Sequence, residues 1–367
     1  MIDYNNLIHA VYVLSELYSS VFLYSCIFLI TSIIIFIYIN RFLNKKKLFK
    51  NYSGVQRIHS KVEEIPRMGG ACIFISILFF YFFENNIFFE HELKIIVISF
   101  IPIFIISFYE DFFQNSSPKH RLLIIYFSSI FFLYLLGEEG LPNIDTPVLN
   151  IINEYYFLQL LFYGICLSTL VNGTNLIDGT NGLAITSSMS SLAALAFMAN
   201  HEVDTTLLCL IFFLFFFFLI FFLFNFPWGR IFLGDLGAYF CGFAVGGITI
   251  IFYAKHEYLS AWGAVLVLFY PSMEVIFSFF RKIYEGHNPV HPDPYHLHLK
   301  LFFLIDKLNM RPIVSNSIIL PFLTCLWIVP SLLIPWVFKS QQLILFSIFG
   351  LVVLYSGLYY AIPRVKR

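Results

Sequence analysis

Long apolar runs separated by short polar interruptions dominate this chain. A membrane-spanning helix needs about 20 apolar residues, and eleven candidate runs are centred near residues 30, 77, 101, 129, 164, 192, 215, 245, 270, 327 and 352. The first run is too long for the core of a signal peptide and should remain as the first span. The pattern predicts an all-α integral membrane protein, a polytopic bundle of about 10–11 transmembrane helices.

The composition agrees with this class. The 367 residues are 59% hydrophobic and 12% charged, against about 25% charged in soluble proteins. The six cysteines are scattered through apolar runs without a C-x-x-C pair, which predicts neither a disulfide framework nor a zinc site. No repeat or linker divides the chain, so residues 1–367 are expected to form one domain. The net charge of zero identifies no partner, and no nucleic acid is expected.

The basic residues predict an orientation. Of the 22 lysines and arginines, 19 fall in loops on one side of the predicted bundle, and only Lys94, Lys255 and Lys339 fall on the other. Basic loops face the cytoplasm, so the N-terminus is expected outside and the C-terminus inside. The polar motifs all lie in the basic loops. We therefore expect a cytoplasmic-face active site in the inner (plasma) membrane.

The most polar interruption is residues 171–184. Asn172, Asn175 and Asp178 recur every three residues, a spacing that holds all three on one face of a helix end. Gly179 and Gly182 allow tight turns and close approach of the backbone, as a phosphate or nucleotide contact requires. The same residues also fit a plain polar connection between two helices.

Glu110 and Asp111 end a predicted span that is otherwise uncharged. Adjacent carboxylates repel each other, so a nearby cation would keep both ionised. The pair indicates a metal-linked or substrate-linked site, or else a solvated helix end. Lys119 and Arg121 follow on the same surface, where they can hold a lipid phosphate or serve as ordinary inside-loop charges.

Asp235 stands between Gly234 and Gly237 at the start of a span. Mg²⁺ prefers oxygen ligands and takes few protein groups, with waters and substrate phosphates completing its shell. The sequence therefore favours Asp235 as a Mg²⁺ ligand, with a helix N-cap as the alternative.

A histidine motif lies in the last large basic loop. His296 and His298, with Arg281 before them, suit hydrogen bonding to a phosphate or a sugar. A transition-metal cluster is less favoured because the loop has two prolines and no cysteine. A plain loop surface is the other interpretation. The segment from Pro66 to Gly70 is a weak motif, since many loop-to-helix entries look like it.

Together and in this order, the motifs resemble those of the polyprenyl-phosphate N-acetylhexosamine-1-phosphate transferases, glycosyltransferase family 4. The resemblance covers roughly residues 55–300 and is greatest to the branch that initiates bacterial surface polysaccharides. It implies transfer of a sugar 1-phosphate, such as that of UDP-GlcNAc, to undecaprenyl phosphate with Mg²⁺ and release of UMP. It also implies a role in cell wall, lipopolysaccharide or O-antigen biogenesis. The sugar and oligomeric state stay open, a homodimer included.

The resemblance also implies roles for particular residues. The acidic pair of the family falls on Glu110 and Asp111, and its Asn-x-x-Asn-x-x-Asp-Gly motif on Asn172, Asn175, Asp178 and Gly179. The eukaryotic dolichyl-phosphate branch implies Asn175 and Asp235 as metal ligands, and it has an asparagine at the position of Asn181, where that residue contacts uracil. The implied catalytic residues are Glu110, Asp111 and Asp235. The implied substrate-binding residues are Asn172, Asp178, Gly179, Asn181, Lys119, Arg121, Arg281, His296 and His298.

Several positions depart from the family pattern. Glu110 and Asn181 stand where aspartates are commoner, Glu274 stands where the family tends to have Asp, and Leu299 replaces the last histidine of His-x-His-His. Gln114 replaces the lysine of the muramyl-pentapeptide branch. Two routes stay open, direct displacement and a covalent intermediate on Asp111. The alternatives in function are a membrane transporter, which would place its charges near mid-span, and an inactive family member.

Overall fold

The computed structural model describes residues 19–45, 65–85, 87–113, 116–144, 146, 149–289, 293–308 and 310–363, and these contain helices and loops but no strand. Most of the basic first loop and the basic end of the chain, 364–367, lie outside these ranges. The α-helices in the described ranges are α1 (Ser20–Lys45), α2 (Gly69–Phe83), α3 (Glu90–Phe113), α4 (Pro118–Leu136), α5 (Asn150–Glu154), α6 (Tyr156–Ile177), α7 (Leu183–His201), α8 (Thr205–Asn225), α9 (Gly234–Lys255), α10 (Trp262–Val267), α11 (Phe269–Tyr284), α12 (Leu297–Asp306), α13 (Pro312–Ser317), α14 (Ile319–Leu323), α15 (Cys325–Val337) and α16 (Gln341–Ala361).

Among the described residues, nine helical stretches are long and apolar enough to cross a membrane. They include seven of the predicted spans as single helices, together with residues 313–337 and α16. The spans predicted near residues 77 and 270 correspond to the 15-residue α2 and to the pair α10 and α11. The protein is a multi-pass membrane protein with an all-helical bundle, and the predicted fold class is confirmed.

The helix α9 lies at the centre of the bundle, and every residue from Gly234 to Ala254 is buried. It packs against α2, α3, α6 and α7. Glycines make the close approach possible, because a Cβ at Gly242 would lie 2.7 Å from Thr174 Oγ1 of α6. Gly246 faces α6 in the same way, and Gly247 faces Phe132 of α4. Small residues at helix interfaces are the usual basis of tight packing in membranes.

The charged residues of one end of the bundle contact one another. Lys255 Nζ, at the end of α9, lies 3.0 Å from Glu92 Oε1 at the start of α3 and 3.8 Å from Asp204 Oδ2 before α8. Lys339 Nζ, between α15 and α16, is 3.9 Å from Glu202 Oε1. Lys255 and Lys339, two of the three lysines predicted to lie outside, are therefore at the end opposite to the start of α9.

Candidate active site

The acidic pair of α3 meets the first turn of α9. Asp111 Oδ1 accepts a hydrogen bond from the backbone N–H of Asp235 at 2.9 Å, and Oδ2 accepts one from Leu236 N–H at 3.0 Å. The first N–H groups of a helix have no partner within the helix. Asp111 therefore caps α9 from a neighbouring helix and fixes the position of the following carboxylate, Asp235.

Arg121 of α4 joins the two acidic motifs. Its Nη1 lies 2.5 Å from Asp235 Oδ2 and 3.4 Å from Glu110 Oε1. The other carboxylate oxygen of Glu110 accepts hydrogen bonds from the backbone N–H and the hydroxyl of Ser116. One cation thus offsets the repulsion between carboxylates of α3 and α9. Lys119, two residues earlier, is exposed at the same edge.

The weak motif Pro66–Gly70 is packed against this acidic group. Phe232 N–H donates to the carbonyl of Pro66 at 2.9 Å, and Gly70 N–H donates to the carbonyl of Leu233 at 2.8 Å. Gly234 has a positive φ of 78°, and a Cβ there would lie 2.5 Å from the Arg67 carbonyl oxygen. The Arg67 side chain interacts electrostatically with Asp111. This motif therefore helps to build the site.

The asparagine motif ends α6 beside the same central helix. Asn172 and Asn175 are partly exposed in the last turns of α6, and Asp178 N–H donates to the Asn175 carbonyl at 3.3 Å. The Asp178 carboxylate interacts electrostatically with Cys241, which is in α9. Asp178 therefore lies near α9, the helix whose second residue is Asp235.

The histidine motif lies against the turn that follows Asp178. A Cβ at Gly179 would lie 2.3 Å from His298 Nε2, so a larger residue here would push the imidazole away from the turn. Burial lowers the pKa of His298 to about 4, which keeps its imidazole neutral at pH 7. Its Nδ1 is buried and has no hydrogen-bond partner among the described residues. His298 thus presents a neutral ring to the turn.

A buried carboxylate holds the other histidine. Glu274 Oε1 accepts hydrogen bonds from His296 Nδ1 at 3.1 Å and from Leu297 N–H at 3.0 Å. Both Glu274 and His296 are almost fully buried. Glu274 therefore connects α11 to the histidine loop at the point where α12 begins.

Arg281 has a different neighbourhood from the one expected for a substrate-binding residue. Its Nη2 lies 2.7 Å from Asp293 Oδ2 and 3.2 Å from Ser278 Oγ. Burial tends to raise the pKa of Asp293, but the hydrogen bond from Arg281 holds it below its usual value. These contacts shape the histidine loop from within, and a direct contact of Arg281 with substrate stays a prediction.

Asn181 is likewise buried among protein groups. Its backbone N–H donates to Asn316 Oδ1 at 2.6 Å, and its side-chain amide donates to Ser317 Oγ at 3.2 Å. The neighbouring Gly182 N–H donates to Asn225 Oδ1 at 2.6 Å. Asn181 Oδ1 is buried without a hydrogen-bond partner in the described part of the chain. Contact of this oxygen with a nucleobase stays a prediction.

The donors near the start of α9 are carboxylate oxygens, which are ligands of the kind that Mg²⁺ takes. Among the described residues, no group of three or more His, Cys, Asp or Glu side chains has metal-binding spacing. Mg²⁺ needs only one or two carboxylates because phosphates and waters complete its shell. The buried Asp235 carboxylate already contacts a cationic group, Arg121. Asn175, in the last turns of α6, offers an amide oxygen of the kind that Mg²⁺ prefers, and its place in a metal site stays a prediction.

Some residues of this assembly escaped the sequence analysis. Asn225 links two loops, because its Oδ1 accepts from Gly182 N–H and its Nδ2 donates to the Ile231 carbonyl at 2.8 Å. Asn316 and Ser317 support Asn181 from a distant part of the chain. Glu274 was named only as a departure from the family pattern, although an isolated acid in an apolar run is itself a sign of a special role. No sequence feature around Asn316 indicated its role, because its partner Asn181 is 135 residues away.

The fold and these contacts define a class: a multi-pass membrane protein that gathers acids, arginine, asparagines and histidines at one end of a helical bundle. Residues 93–253 match the model of Glycosyl transferase family 4. The match contains the acidic pair, the asparagine motif and Asp235, and the histidine motif lies beyond it.

Curated relatives agree with this match. A probable undecaprenyl-phosphate N-acetylglucosaminyl 1-phosphate transferase of Bacillus subtilis is 26% identical over 250 residues, 67% of each chain. An undecaprenyl-phosphate alpha-N-acetylglucosaminyl 1-phosphate transferase of Thermotoga maritima is 24% identical over 254 residues, 69% of this chain and 73% of the relative. A phospho-N-acetylmuramoyl-pentapeptide-transferase of Streptococcus sanguinis is 26% identical over 263 residues, 67% of this chain and 79% of the relative.

The predicted resemblance is therefore confirmed: in sequence, this chain is similar to glycosyl transferase family 4. The two N-acetylglucosaminyl 1-phosphate transferases and the phospho-N-acetylmuramoyl-pentapeptide-transferase match this chain at similar sequence identity. The narrower resemblance, to the branch that initiates surface polysaccharides, stays a prediction.

Proposed function

We propose that this protein transfers a sugar 1-phosphate from a UDP-sugar to a polyprenyl phosphate and releases UMP. The names of the relatives support this reaction class, with undecaprenyl phosphate as the acceptor. The proposed donor is a UDP-N-acetylhexosamine such as UDP-GlcNAc. The product would be the first lipid-linked intermediate of a surface polysaccharide or cell-wall glycan.

One observation carries the proposal: the carboxylates of α3 and α9 and the Arg121 guanidinium meet at the first turn of α9. Asp111, Arg121 and Asp235 come from three helices and are joined by contacts of 2.5–3.0 Å. Arg121 and the exposed Lys119 place positive charge at the same edge, and charged groups of this kind bind phosphates. Such a site suits two phosphate-bearing substrates.

The proposed reaction is a direct displacement. An oxygen of the lipid phosphate attacks the β-phosphorus of the UDP-sugar, the bond from that phosphorus to the bridging oxygen breaks, and UMP leaves. A phosphate monoester has a second pKa near 6, so a strong general base is unnecessary. Positioning and charge neutralisation therefore dominate the catalysis.

The contacts of Asp111 favour this direct route over a covalent intermediate. Both of its oxygens already accept backbone N–H groups of α9. A nucleophilic Asp111 would weaken these hydrogen bonds as its carboxylate became an acyl phosphate. We assign Asp111 to hold the start of α9 and to orient the attacking phosphate.

Mg²⁺ is the proposed cofactor, and Asp235 and Asn175 are the residues that would hold it. When bound, the ion would neutralise the diphosphate charge of the UDP-sugar. Arg121 contacts Glu110 as well as Asp235, at 3.4 Å from the same guanidinium nitrogen, so Glu110 would still hold the guanidinium when Asp235 holds the ion. Asp178, the Gly179 turn and the histidine loop would hold the nucleotide and sugar ends.

The proposed location is the inner membrane, with the site at the cytoplasmic face. The distribution of lysine and arginine supports this orientation. Two of the three lysines predicted outside, Lys255 and Lys339, lie at the end opposite to the start of α9. UDP-sugars would then reach the site from the cytoplasm.

The test is UMP release by the purified protein in detergent, with undecaprenyl phosphate, Mg²⁺ and a panel of UDP-N-acetylhexosamines. We expect UMP to appear with at least one donor and only when the lipid is present. Absence of UMP with every donor would overturn the proposal. Lipid-independent UMP release would instead indicate a hydrolase.

A further inference from the structure

The last described helix, α16, contacts the histidine region at two points one helical turn apart. The Tyr355 hydroxyl donates to Glu274 Oε2 at 2.9 Å. Lys300 Nζ donates to the Tyr359 carbonyl at 2.5 Å and lies 3.8 Å from the centroid of the Tyr359 ring. Residues four apart share one face of a helix. One face of α16 therefore supports both α11 and α12.

Glu274 is the junction of these contacts. Its side chain is 1% exposed, and burying a carboxylate is costly unless hydrogen bonds satisfy it. One oxygen accepts from His296 Nδ1 and Leu297 N–H, and the other accepts from Tyr355. With Nδ1 directed at the carboxylate, Nε2 is the nitrogen of His296 that remains for a ligand. The Tyr355 hydroxyl therefore fixes the group that orients this ring.

We propose that Tyr355 is a positioning residue for the sugar-phosphate end of the UDP-sugar, acting through Glu274 on His296. This inference rests on the proposed transferase function. His296 is two residues from His298, and His298 lies against Gly179 in the turn that follows Asp178. The proposed function gives this turn a part in holding the nucleotide. A loosened Glu274 would let the histidine loop move relative to that turn. The donor would then lose contacts at its sugar end and keep those at its uridine end.

If Tyr355 had a purely structural role, a different result would be expected. If Tyr355 only fastened α16 to the bundle, its loss would lower stability and weaken the binding of all ligands alike. A positioning role instead separates two ligands that share the uridine part. The UDP-sugar should lose affinity, and UMP, which lacks the sugar and its phosphate, should not.

The first experiment compares Tyr355→Phe with the control Tyr360→Phe, whose ring is on the same helix but 76% exposed. One hydrogen bond contributes about 0.5–1.5 kcal/mol, which corresponds to a factor of about 2–13. We expect the KM for the UDP-sugar to rise by such a factor in Tyr355→Phe, with the UMP inhibition constant within about twofold of wild type. Equal changes for both ligands, or no change in KM, would overturn the proposal.

A double mutant tests the route through the carboxylate. Glu274→Gln keeps the shape of the side chain and removes its charge. If Tyr355 acts through Glu274, adding Tyr355→Phe to Glu274→Gln should raise KM by less than the product of the two single effects. Multiplicative effects would mean that the two residues act independently, contrary to the proposal.

A third measurement does not require activity. Hydrogen–deuterium exchange of the backbone amides in residues 293–300 should be faster in Tyr355→Phe than in wild type and Tyr360→Phe. Unchanged exchange would contradict the proposal whether or not the protein is a transferase. If wild type releases no UMP from any donor, the proposed function fails, and the exchange result still decides whether Tyr355 holds the histidine loop.

Discussion

At the scale of single residues, the carboxylates of the site differ in the groups that they contact. Both carboxylate oxygens of Asp111 accept backbone N–H groups of α9, and Glu110 contacts Ser116 and Arg121. Asp235 faces the cation of Arg121 instead. The sequence analysis could single out Asp235 because a carboxylate between glycines at a span start is unusual. It could not predict the capping role of Asp111, because Asp111 and Asp235 are 124 residues apart in the chain.

Asp235→Asn should nearly abolish turnover while the protein remains folded in detergent. The amide keeps the shape of the side chain but loses the charge that would hold Mg²⁺ and Arg121. The measurement is UMP release against Mg²⁺ concentration. Glu139→Gln, an exposed acid after the far end of α4, is the matched control and should behave as wild type. Near-normal turnover of Asp235→Asn at the same half-saturating Mg²⁺ would shift the metal assignment to Glu110 and Asp111.

His298 should make stability depend on pH. Its pKa in the folded protein is lowered to about 4 by burial, below the value near 6.5 of an unfolded histidine. The unfolded state therefore binds more protons between these values, and the free energy of unfolding falls as the pH falls. Between pH 7 and pH 5 the loss is roughly 2 kcal/mol. The melting temperature of the wild type should therefore fall more between pH 7 and pH 5 than that of His298→Gln. An identical pH response in both proteins would contradict this.

At the scale of elements, close contacts between glycines place α2 on α9. The Cβ of a residue at position 70 would lie 2.1 Å from the backbone nitrogen of Gly237. Periodicity could predict both helices, but not which glycines face each other, because the contact joins segments far apart in sequence. The same limit hid Asn316 and Tyr355, which act on parts of the site more than 80 residues away.

Gly70→Ala should therefore damage both stability and activity. The added methyl group meets backbone that cannot rotate away, and overpacking of this kind costs about 1–3 kcal/mol. The start of α2 and the Phe232–Leu233 segment before Asp235 would have to move together. Melting temperature in detergent and UMP release report the two effects. Gly350→Ala in α16 is the control, since a Cβ there meets nothing within 4 Å. Equal stability of the two variants would argue against the close packing of α2 on α9.

At the scale of the whole molecule, apolar run lengths were enough to predict the bundle. Seven of the eleven predicted spans appear as single long helices in the described part of the chain, and α16 supplies another. Of the other three, the span near residue 327 is the stretch 313–337, formed by α13, α14 and α15, and the remaining two have physical causes. The span near residue 77 stops at Phe83 because Glu84 and Asn85 follow, and the span near 270 is divided between α10 and α11 at Leu268. The run lengths could not predict that distant motifs meet at one end of the bundle, because that depends on how the other helices pack around α9.

The basic residues predict a topology with the termini on opposite sides of the membrane. A tag at residue 2 should be accessible from outside intact cells, and a tag after Arg367 only after the membrane is opened. An odd number of crossings and the cytoplasmic preference of basic loops give this result. Both tags accessible from the same side would contradict the eleven-span arrangement.

The central claim, that a sugar 1-phosphate moves to a lipid phosphate, is tested most directly by following one phosphorus atom. The purified protein would receive UDP-GlcNAc labelled in its β-phosphate, with undecaprenyl phosphate and Mg²⁺, and other UDP-N-acetylhexosamines labelled in the same way. Attack at the β-phosphorus predicts that the label enters the lipid fraction in step with the release of unlabelled UMP. Label that stays in water-soluble UDP, or that never enters the lipid with any donor, would contradict the account.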